Sequence, residues 1–446
     1  ARRRKESIGD LDVVAAAEKE HIGKVTHSIL SLPGIAEVKG AGDSKISLII
    51  ESTIFENAAS NSTIDGGVLA ALGGEAWEEL EANSTIDAQV RLVPPHVFAY
   101  TMAYFTGSKE HNVRMRQRAL DMGLRLNEFG LFPLEGLGDA KGLQAAENGL
   151  PAFDEEEIYE HLKMKWVPPE MREDMGEIEA SLSGTLPSLI EPVHVKGALH
   201  NHTTASDGSG SLIEMADAAI DLGWEFLGIA DHSEILNIGG RSIGVPQDKV
   251  VQQGNEIREM NYEWEEEDTN FRLLHGSECD ILADGKLDYP DSIRREFSHV
   301  VGSVHAIGSW RNRDEIENTE ILIKAIEDPT FTILGHPTGR IIGGRDGFPL
   351  DMHAVLRRMG ELNSEGILKA CEINASPYRL DLDWRLCKFA KSQGVPIVIN
   401  PDAHSTKGLK DVWFGVQMAR KGWLEEADVL NCLPGNVIEE RMMEGK

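Results

Sequence analysis

The sequence is short of cysteine, of positive charge and of long apolar runs, and each shortage closes off a class of protein. Its four cysteines, Cys279, Cys371, Cys387 and Cys432, include no CxxC pair, so neither a zinc finger nor a disulfide framework is indicated. No stretch approaches the roughly 18 uninterrupted apolar residues of a membrane span, and no secretory signal is evident. A membrane partner is therefore not expected, and a reducing cytoplasm is the expected compartment. Lysine and arginine number 44 against 74 acidic residues, a net charge of −30. That sign gives poor long-range attraction to polyanions, and acidic runs such as DEEEIYE and YEWEEEDTN read as solvated faces. With 446 residues, 41% of them hydrophobic, the chain is long enough for two or three domains with real cores.

What the sequence does have is histidine at recurring places. Seven apolar runs in the second half each reach a turn, and six end on His, Asp or Glu: His200, Asn201 and His202 after VHVKGAL, His232 after FLGIAD, Glu278 after RLLHGS, His305 after HVVGSV, His336 after FTILG, and Asp402 with His404 after VPIVINP. The seventh, LKACEIN, runs into Ala375. Short apolar runs alternating with longer helical stretches predict parallel strands with crossover helices. In such a barrel the strand C-termini converge on one face. Imidazoles and carboxylates meeting there suit a multinuclear metal site. In HNH the two imidazoles lie on one side of an extended segment, because side chains alternate with period two. DAH at 402–404 repeats that geometry, and Asp207 in the SDG loop can return to the same pocket.

These residues carry a resemblance. HNHTTASDG, IADHSE, GSECDILADGKLDYP, GSVHA, GHPTGR, EINASPYRLDL and PDAHS, from about Glu191 to Asn431, resemble the polymerase and histidinol phosphatase (PHP) domain, a distorted seven-stranded TIM-like barrel holding up to three ions. The resemblance implies nine metal ligands: His200, His202, Asp207, His232, Glu278, His305, His336, Asp402 and His404. One departure is Ala198, where the family usually has aspartate just before HxH; the expectation is a lost contact behind the first ligand.

The first half resembles the catalytic core of family X DNA polymerases, in the bacterial form with a C-terminal PHP domain. RRRKESIGDLDVV looks like the palm strand with two metal-binding aspartates, Asp10 and Asp12, and YFTGSKEHNVRMRQRAL with GLRLNEFGLF looks like the subdomain that closes on the incoming nucleotide. Arg3 is the implied triphosphate-binding arginine. A two-metal nucleotidyl transferase needs a third carboxylate, yet the strand that should supply it reads AQVRLV, with Gln89 at the position. A neutral amide binds a hard cation poorly. Asp87 lies two residues earlier, about 6.6 Å along a strand, too far to substitute without a register shift. The Gly-Ser triphosphate element and the helix-hairpin-helix domain that precede this region in the family do not appear. NSTID occurs at 61–65 and again at 83–87, in an insertion read as a surface excursion.

The resulting expectation is an α/β chain: residues 1–95 a partial palm with an insertion near 52–85, 96–150 a thumb-like nucleotide-binding subdomain, 151–193 a connector, and 194–446 the PHP barrel. Six imidazoles with three carboxylates suit Mn2+, Zn2+ or Fe2+ better than Mg2+ or Ca2+, with two or three ions expected. Arg340 and Arg379, both just after strand ends, are candidates to clamp a phosphate; their alternative is a salt bridge to Asp381 or Asp383. The resemblance implies a metal-dependent phosphoesterase acting on DNA ends, a 3'-5' exonuclease or end-processing phosphatase in repair, with a degenerate polymerase core. The alternatives are an active gap-filling polymerase and a non-catalytic DNA-binding module with structural metals. Given the acidic chain, DNA would be held weakly, through patches such as Arg114, Arg116 and Arg118, which favours strand ends or short phosphoesters as substrates.

Overall fold

The structure, a computed structural model, describes residues 1–51, 85–135, 149–238 and 240–443. The chain divides into two compact units between Pro187 and Ser188.

The first unit is built on a four-stranded sheet of order β1-β4-β3-β2, with β1 (Asp10–Ala16), β2 (Ile35–Ala41), β3 (Lys45–Glu51) and β4 (Thr85–Val93). KISLIIE and TIDAQVRLV alternate buried and exposed positions, so one face is apolar. Ile46, Leu48 and Ile50 of β3 with Ala88, Val90 and Leu92 of β4 pack there against Ile22, Val25 and Ile29 of the helix Ile22–Leu30. The opposite face carries Asp10, Asp12 and Gln89. The second NSTID copy was expected to be a surface excursion; instead its last three residues open β4, because their alternation continues the strand. The first copy lies outside the described residues. Beyond the sheet, Ser108 caps the helix Lys109–Asp121 by accepting from the His111 N–H. The hairpin β5 (Leu124–Asn127) and β6 (Gly130–Pro133) follows.

The second unit is a ring of seven parallel strands, in the order β15-β14-β13-β12-β11-β8-β7: β7 (Gly197–Ala198), β8 (Phe226–Ile229), β11 (Arg272–Asp280), β12 (His299–Ser303), β13 (Ile333–Leu334), β14 (Ala370–Asn374) and β15 (Ile397–Asn400). A small ribbon, β9 (Asn237–Ile238) with β10 (Arg241–Ser242), stands in the loop after β8. Alternate β8 residues face two layers: Leu227 and Ile229 pack with Met215, Ala216 and Ala219 of the helix Leu212–Asp221, while Phe226 packs with Leu274, Val301, Ile333 and Val398. His299 is enclosed by the ring and bonded through Nε2 to the Leu199 carbonyl at 2.7 Å. It needs glycine at two neighbours, since a Cβ on Gly228 or Gly276 would stand 2.9 or 2.5 Å from its ring.

The first and last strands are too short to pair along their length, and side chains close the seam. The Asn400 amide oxygen accepts the Leu199 N–H at 2.8 Å, and Asn201 bridges to Ala403. The buried Asn431 amide donates to the carbonyls of Gly197 and Ile399, both at 2.8 Å, and accepts the Ile399 N–H at 2.7 Å. One side chain thus supplies the ladder bonds that β7 and β15 lack. The result is a nearly closed TIM-like barrel whose strand C-termini open on one mouth.

Candidate metal centre

All nine side chains singled out in the sequence meet at that mouth. His200 and His202 follow β7, with Asp207 on the loop beyond them. His232 follows β8, Glu278 ends β11, His305 follows β12, His336 follows β13, and Asp402 and His404 follow β15. Glu278 is the centre: Oε1 lies 2.8 Å from His336 Nε2 and 3.3 Å from the Nε2 atoms of both His200 and His305. Its Oε2 lies 2.8 Å from His232 Nδ1 and 3.7 Å from His202 Nε2. Asp402 Oδ1 stands 3.0 Å from His202 Nε2, and Asp207 Oδ1 3.4 Å from the Nε2 atoms of both His232 and His404. Two of the nine, His336 (φ +22°) and Asp402 (φ +54°), hold left-handed backbone, which costs a non-glycine residue about 1–3 kcal/mol and concentrates at functional sites.

The donor set fits divalent ions. Three overlapping groups form, His202 with Asp207, His232 and His404; His200 with His202 and Asp402; His232 with Glu278 and His305; within each, one ligand atom per residue lies inside 4.8 Å of the others. His202 and His232 each belong to two groups, so the groups adjoin one another. Moreover, His202 Nδ1 and His336 Nδ1 are buried without a hydrogen-bond partner, and His200 Nε2, His232 Nδ1 and Glu278 Oε2, though close to one another, make no well-aligned hydrogen bond. Orphaned buried polar atoms are costly. So many converging on one pocket are explained by cations between them.

Electrostatics support the same reading. Burial opposes charge on every group here, but the carboxylates overcome it: Glu372, Glu278 and Asp402 raise His200 well above the usual imidazole range. Glu278 and Asp207 take His232 up to about 9, Glu278 and Asp280 take His305 to about 10, and Asp207 with Asp402 takes His404 to about 9. Glu278, Asp402 and Asp207 are in turn held far below the carboxylate range by those imidazoles. His202 is the exception, pushed down to about 4 by burial and by His404 and His232. Without ions, protons neutralise the cluster.

Behind the nine lies a layer that the sequence reading missed. Fully buried Glu372, inside the one apolar run without a ligand at its end, accepts from His200 Nδ1 at 2.8 Å and from the His336 backbone N–H at 2.6 Å. Asn400 Nδ2 binds it at 2.9 Å, and Asn374 Nδ2 spans to Asp402 Oδ2 at 3.0 Å. Glu372 thereby fixes the His200 tautomer that turns the Nε2 lone pair to the pocket. Asp280 does the same for His305 through Nδ1 at 3.0 Å. Asp231 accepts from Thr203 N at 2.8 Å, Thr203 Oγ1 at 2.7 Å and Gln253 Nε2 at 2.7 Å, anchoring the loop that carries Asp207. Ala198 packs in the helix-facing layer, and the support expected there for His200 comes from Glu372. The available signal was period two: Glu372 and Asn374 share a strand face.

The two candidate arginines separate. Arg340 takes its alternative: Nη1 pairs with Asp383 at 2.7 Å, Nε donates to the Arg379 carbonyl at 2.8 Å and Nη2 to the Leu380 carbonyl. All three nitrogens brace a loop, the salt-bridge alternative named for this residue. Arg379 stands at the mouth, its Nε 3.8 Å from Asp402 Oδ2.

In the first unit, register places Asp10 opposite Asp87 and Asp12 opposite Gln89. Asp87 is engaged by Lys39, a contact with no local sequence signal. Arg3 pairs with Glu173 at 2.7 Å. It lines, with Arg2, Lys5, Asp10, Asp12 and Phe105, a cavity of about 290 Å³. Of the basic patch, Arg114 pairs with Asp174 and Glu179, while Arg116 and Arg118 donate to the carbonyls of Asn112 and Leu162. Their charges are partly committed within the unit.

Comparison with known proteins places both units. Residues 101–173 match the DNA polymerase beta thumb and residues 198–374 the PHP domain. Over 97% of its length the chain is 36% identical to the DNA polymerase/3'-5' exonuclease PolX of Bacillus subtilis, of which it spans 65%. Probable phosphatases of Clostridium acetobutylicum and Caldanaerobacter subterraneus subsp. tengcongensis are 26% and 28% identical over 46% of the chain, covering 78% and 74% of those proteins. No described helix is long and apolar enough to cross a membrane. A polymerase beta thumb match followed by a PHP match, in that order and with that likeness, makes this chain similar along nearly its whole length to family X DNA polymerases that carry a PHP domain.

Proposed function

We propose that the chain is a metal-dependent phosphodiesterase that acts on DNA strand ends in repair, with a polymerase core no longer equipped for nucleotidyl transfer. The observation that carries the reading is the set of eight donors that fall into groups of ligand atoms within 4.8 Å of one another, with His336 beside them at 2.8 Å from Glu278. The names of the relatives, an exonuclease and phosphatases, agree in chemistry.

His200, His202 and Asp402, His232, Glu278 and His305, and Asp207 with His404 would hold two or three divalent ions, Mn2+ or Zn2+ in preference, with Fe2+ also suited to such donors. When bound, such ions supply Lewis acidity toward phosphoryl oxygens and lower the pKa of water. The chain's own residues do the rest. Glu372 and Asp280 hold the imidazoles of His200 and His305 in one tautomer, and Asp231 holds the Asp207 loop in place. Arg379 at the mouth offers an always-charged donor to a substrate phosphate. The polymerase half lacks a third carboxylate level with Asp12, since Gln89 occupies that place and Asp87 is tied to Lys39. We assign it to holding substrate.

The test is hydrolysis of a 3'-labelled single strand by the full chain with Mn2+ against EDTA, alongside metal analysis and nucleotide incorporation on a gapped template. Mn2+-dependent shortening without incorporation is the expected result. Efficient templated incorporation would replace this reading with the polymerase, and bound metal without hydrolysis would replace it with the structural-metal module.

A further inference from the structure

The chain carries 30 more acidic than basic side chains, and its described arginines are mostly tied to carboxylates: Arg172 to Glu155, Arg294 to Asp328, Arg340 to Asp383, Arg358 to Glu327 and Glu361. At the barrel mouth Arg311 and Arg345 are not, and Arg379 has only the longer contact to Asp402 at 3.8 Å. Arg311 is exposed in the helix Ile307–Asn312 after β12, Arg345 lies in the loop after β13, and Arg379 in the loop after β14. Three consecutive strands thus each deliver an arginine to the face that holds the nine donors.

Their surroundings are set rather than loose. Arg345 donates through Nε and Nη2 to the Gly339 carbonyl at 3.0 and 2.8 Å, a neutral acceptor that fixes the guanidinium without cancelling its charge. The two loops are stitched together by Ile342 N–H to the Tyr378 carbonyl at 2.7 Å, Thr338 N–H to Asp381 at 2.8 Å and Arg340 to the Arg379 carbonyl. Arg379 has Asp402 at 3.8 Å, too long for a hydrogen bond. Burial, with the charges of Arg379 and Arg311, lowers the Arg345 guanidinium below its usual range. Like charges gathered together repel; an anion between them removes that repulsion and takes charge-assisted hydrogen bonds from them.

We propose that Arg311, Arg345 and Arg379 form an anion subsite beside the metal centre that takes the phosphate adjoining the scissile one. The site then selects a strand with consecutive phosphates over an isolated phosphoester. This rests on the phosphodiesterase reading above.

The test uses the full chain with Mn2+ and two probes, a 3'-labelled oligothymidylate and bis(p-nitrophenyl) phosphate. Arg345→Gln and, separately, the exposed Arg311→Gln are expected to lower kcat/KM for the strand at least about tenfold more than for the small diester, chiefly through KM. Each should also make the salt dependence of strand hydrolysis shallower by about one phosphate contact. Metal content, measured in parallel, reports whether the centre is intact. Equal losses on both probes, or an unaltered salt slope in Arg311→Gln, overturn the subsite while leaving the phosphodiesterase standing. No hydrolysis of either probe by the unaltered chain overturns both.

Discussion

Stripping the ions and returning them should move protons, and the number is legible in the site. In the metal-free protein the carboxylates Glu278, Asp402 and Asp207 are held ionised, and they keep His232 and His404 at about 9, His305 at about 10 and His200 well above the usual range. At pH 7 these four imidazoles are protonated, and a metal ligand must be neutral. An imidazole two pH units below its pKa is neutral in about 1% of molecules, so each one displaced weakens apparent binding about a hundredfold. Titrating EDTA-stripped chain with Mn2+ at pH 7, in buffers of different ionisation enthalpy, should show roughly two to four protons released per chain. The apparent association constant should rise about tenfold per pH unit for each proton displaced. A calorimetric slope near zero would refute the reasoning. Stability of the metal-free protein follows from the same shifts. Groups raised above their unfolded value stabilise fully below about pH 6.5, and that contribution is lost as pH rises through 9 to 10. His202, lowered to about 4, works oppositely: its contribution is present above pH 6.5 and lost as pH falls toward 4. The metal-free melting temperature should therefore fall between pH 7 and 10, and added Mn2+ should restore it.

Replacing His200 and His202 together by alanine should remove at least one ion by metal analysis and lower strand hydrolysis more than about tenfold; unchanged content and rate would sink the assignment. Glu372→Gln frees the His200 tautomer and should weaken Mn2+ binding about 10- to 100-fold in a competition assay with a chelating dye, and wild-type affinity would show that the anchor is dispensable. Gln89→Asp should leave primer extension undetectable, because Arg3 is paired with Glu173 and Asp87 with Lys39; rapid extension by that variant would contradict this account of the palm. Glu155→Gln should cost about 3 kcal/mol or more in urea unfolding, since Arg172, 1% exposed, loses the buried carboxylate that it pairs with at 2.8 Å.

The barrel and the convergence of its nine side chains were legible because they depend on local rules. A strand of four or five apolar residues announces its end, and a histidine there is visible in the chain itself. What could not be read was which side chains meet behind that rim. Glu372 sits in an apolar run, and its partners His200 and His336 are 172 and 36 residues away. Asp87 offered itself as a spare carboxylate until register set it level with Asp10 and Lys39 reached it from β2. Arg340 and Arg345 lie five positions apart in one loop, and no spacing rule distinguishes the one that pairs with a carboxylate from the one held by a carbonyl. The pairing partners decide, and those are tertiary.

The amide of Asn431 has a bearing on the order in which this protein can be made. His200 and His202 stand on one side of the seam it closes, Asp402 and His404 on the other, and the side chain that joins the two edges comes about thirty residues after the last ligand. On a ribosome, the earlier strands can assemble and bury their apolar faces while the ring still gapes. The seam is fully bonded only once residue 431 has emerged and reached across the opening. A nascent chain stalled before that asparagine carries every ligand while its seam has only the contacts of Asn400 and Asn201.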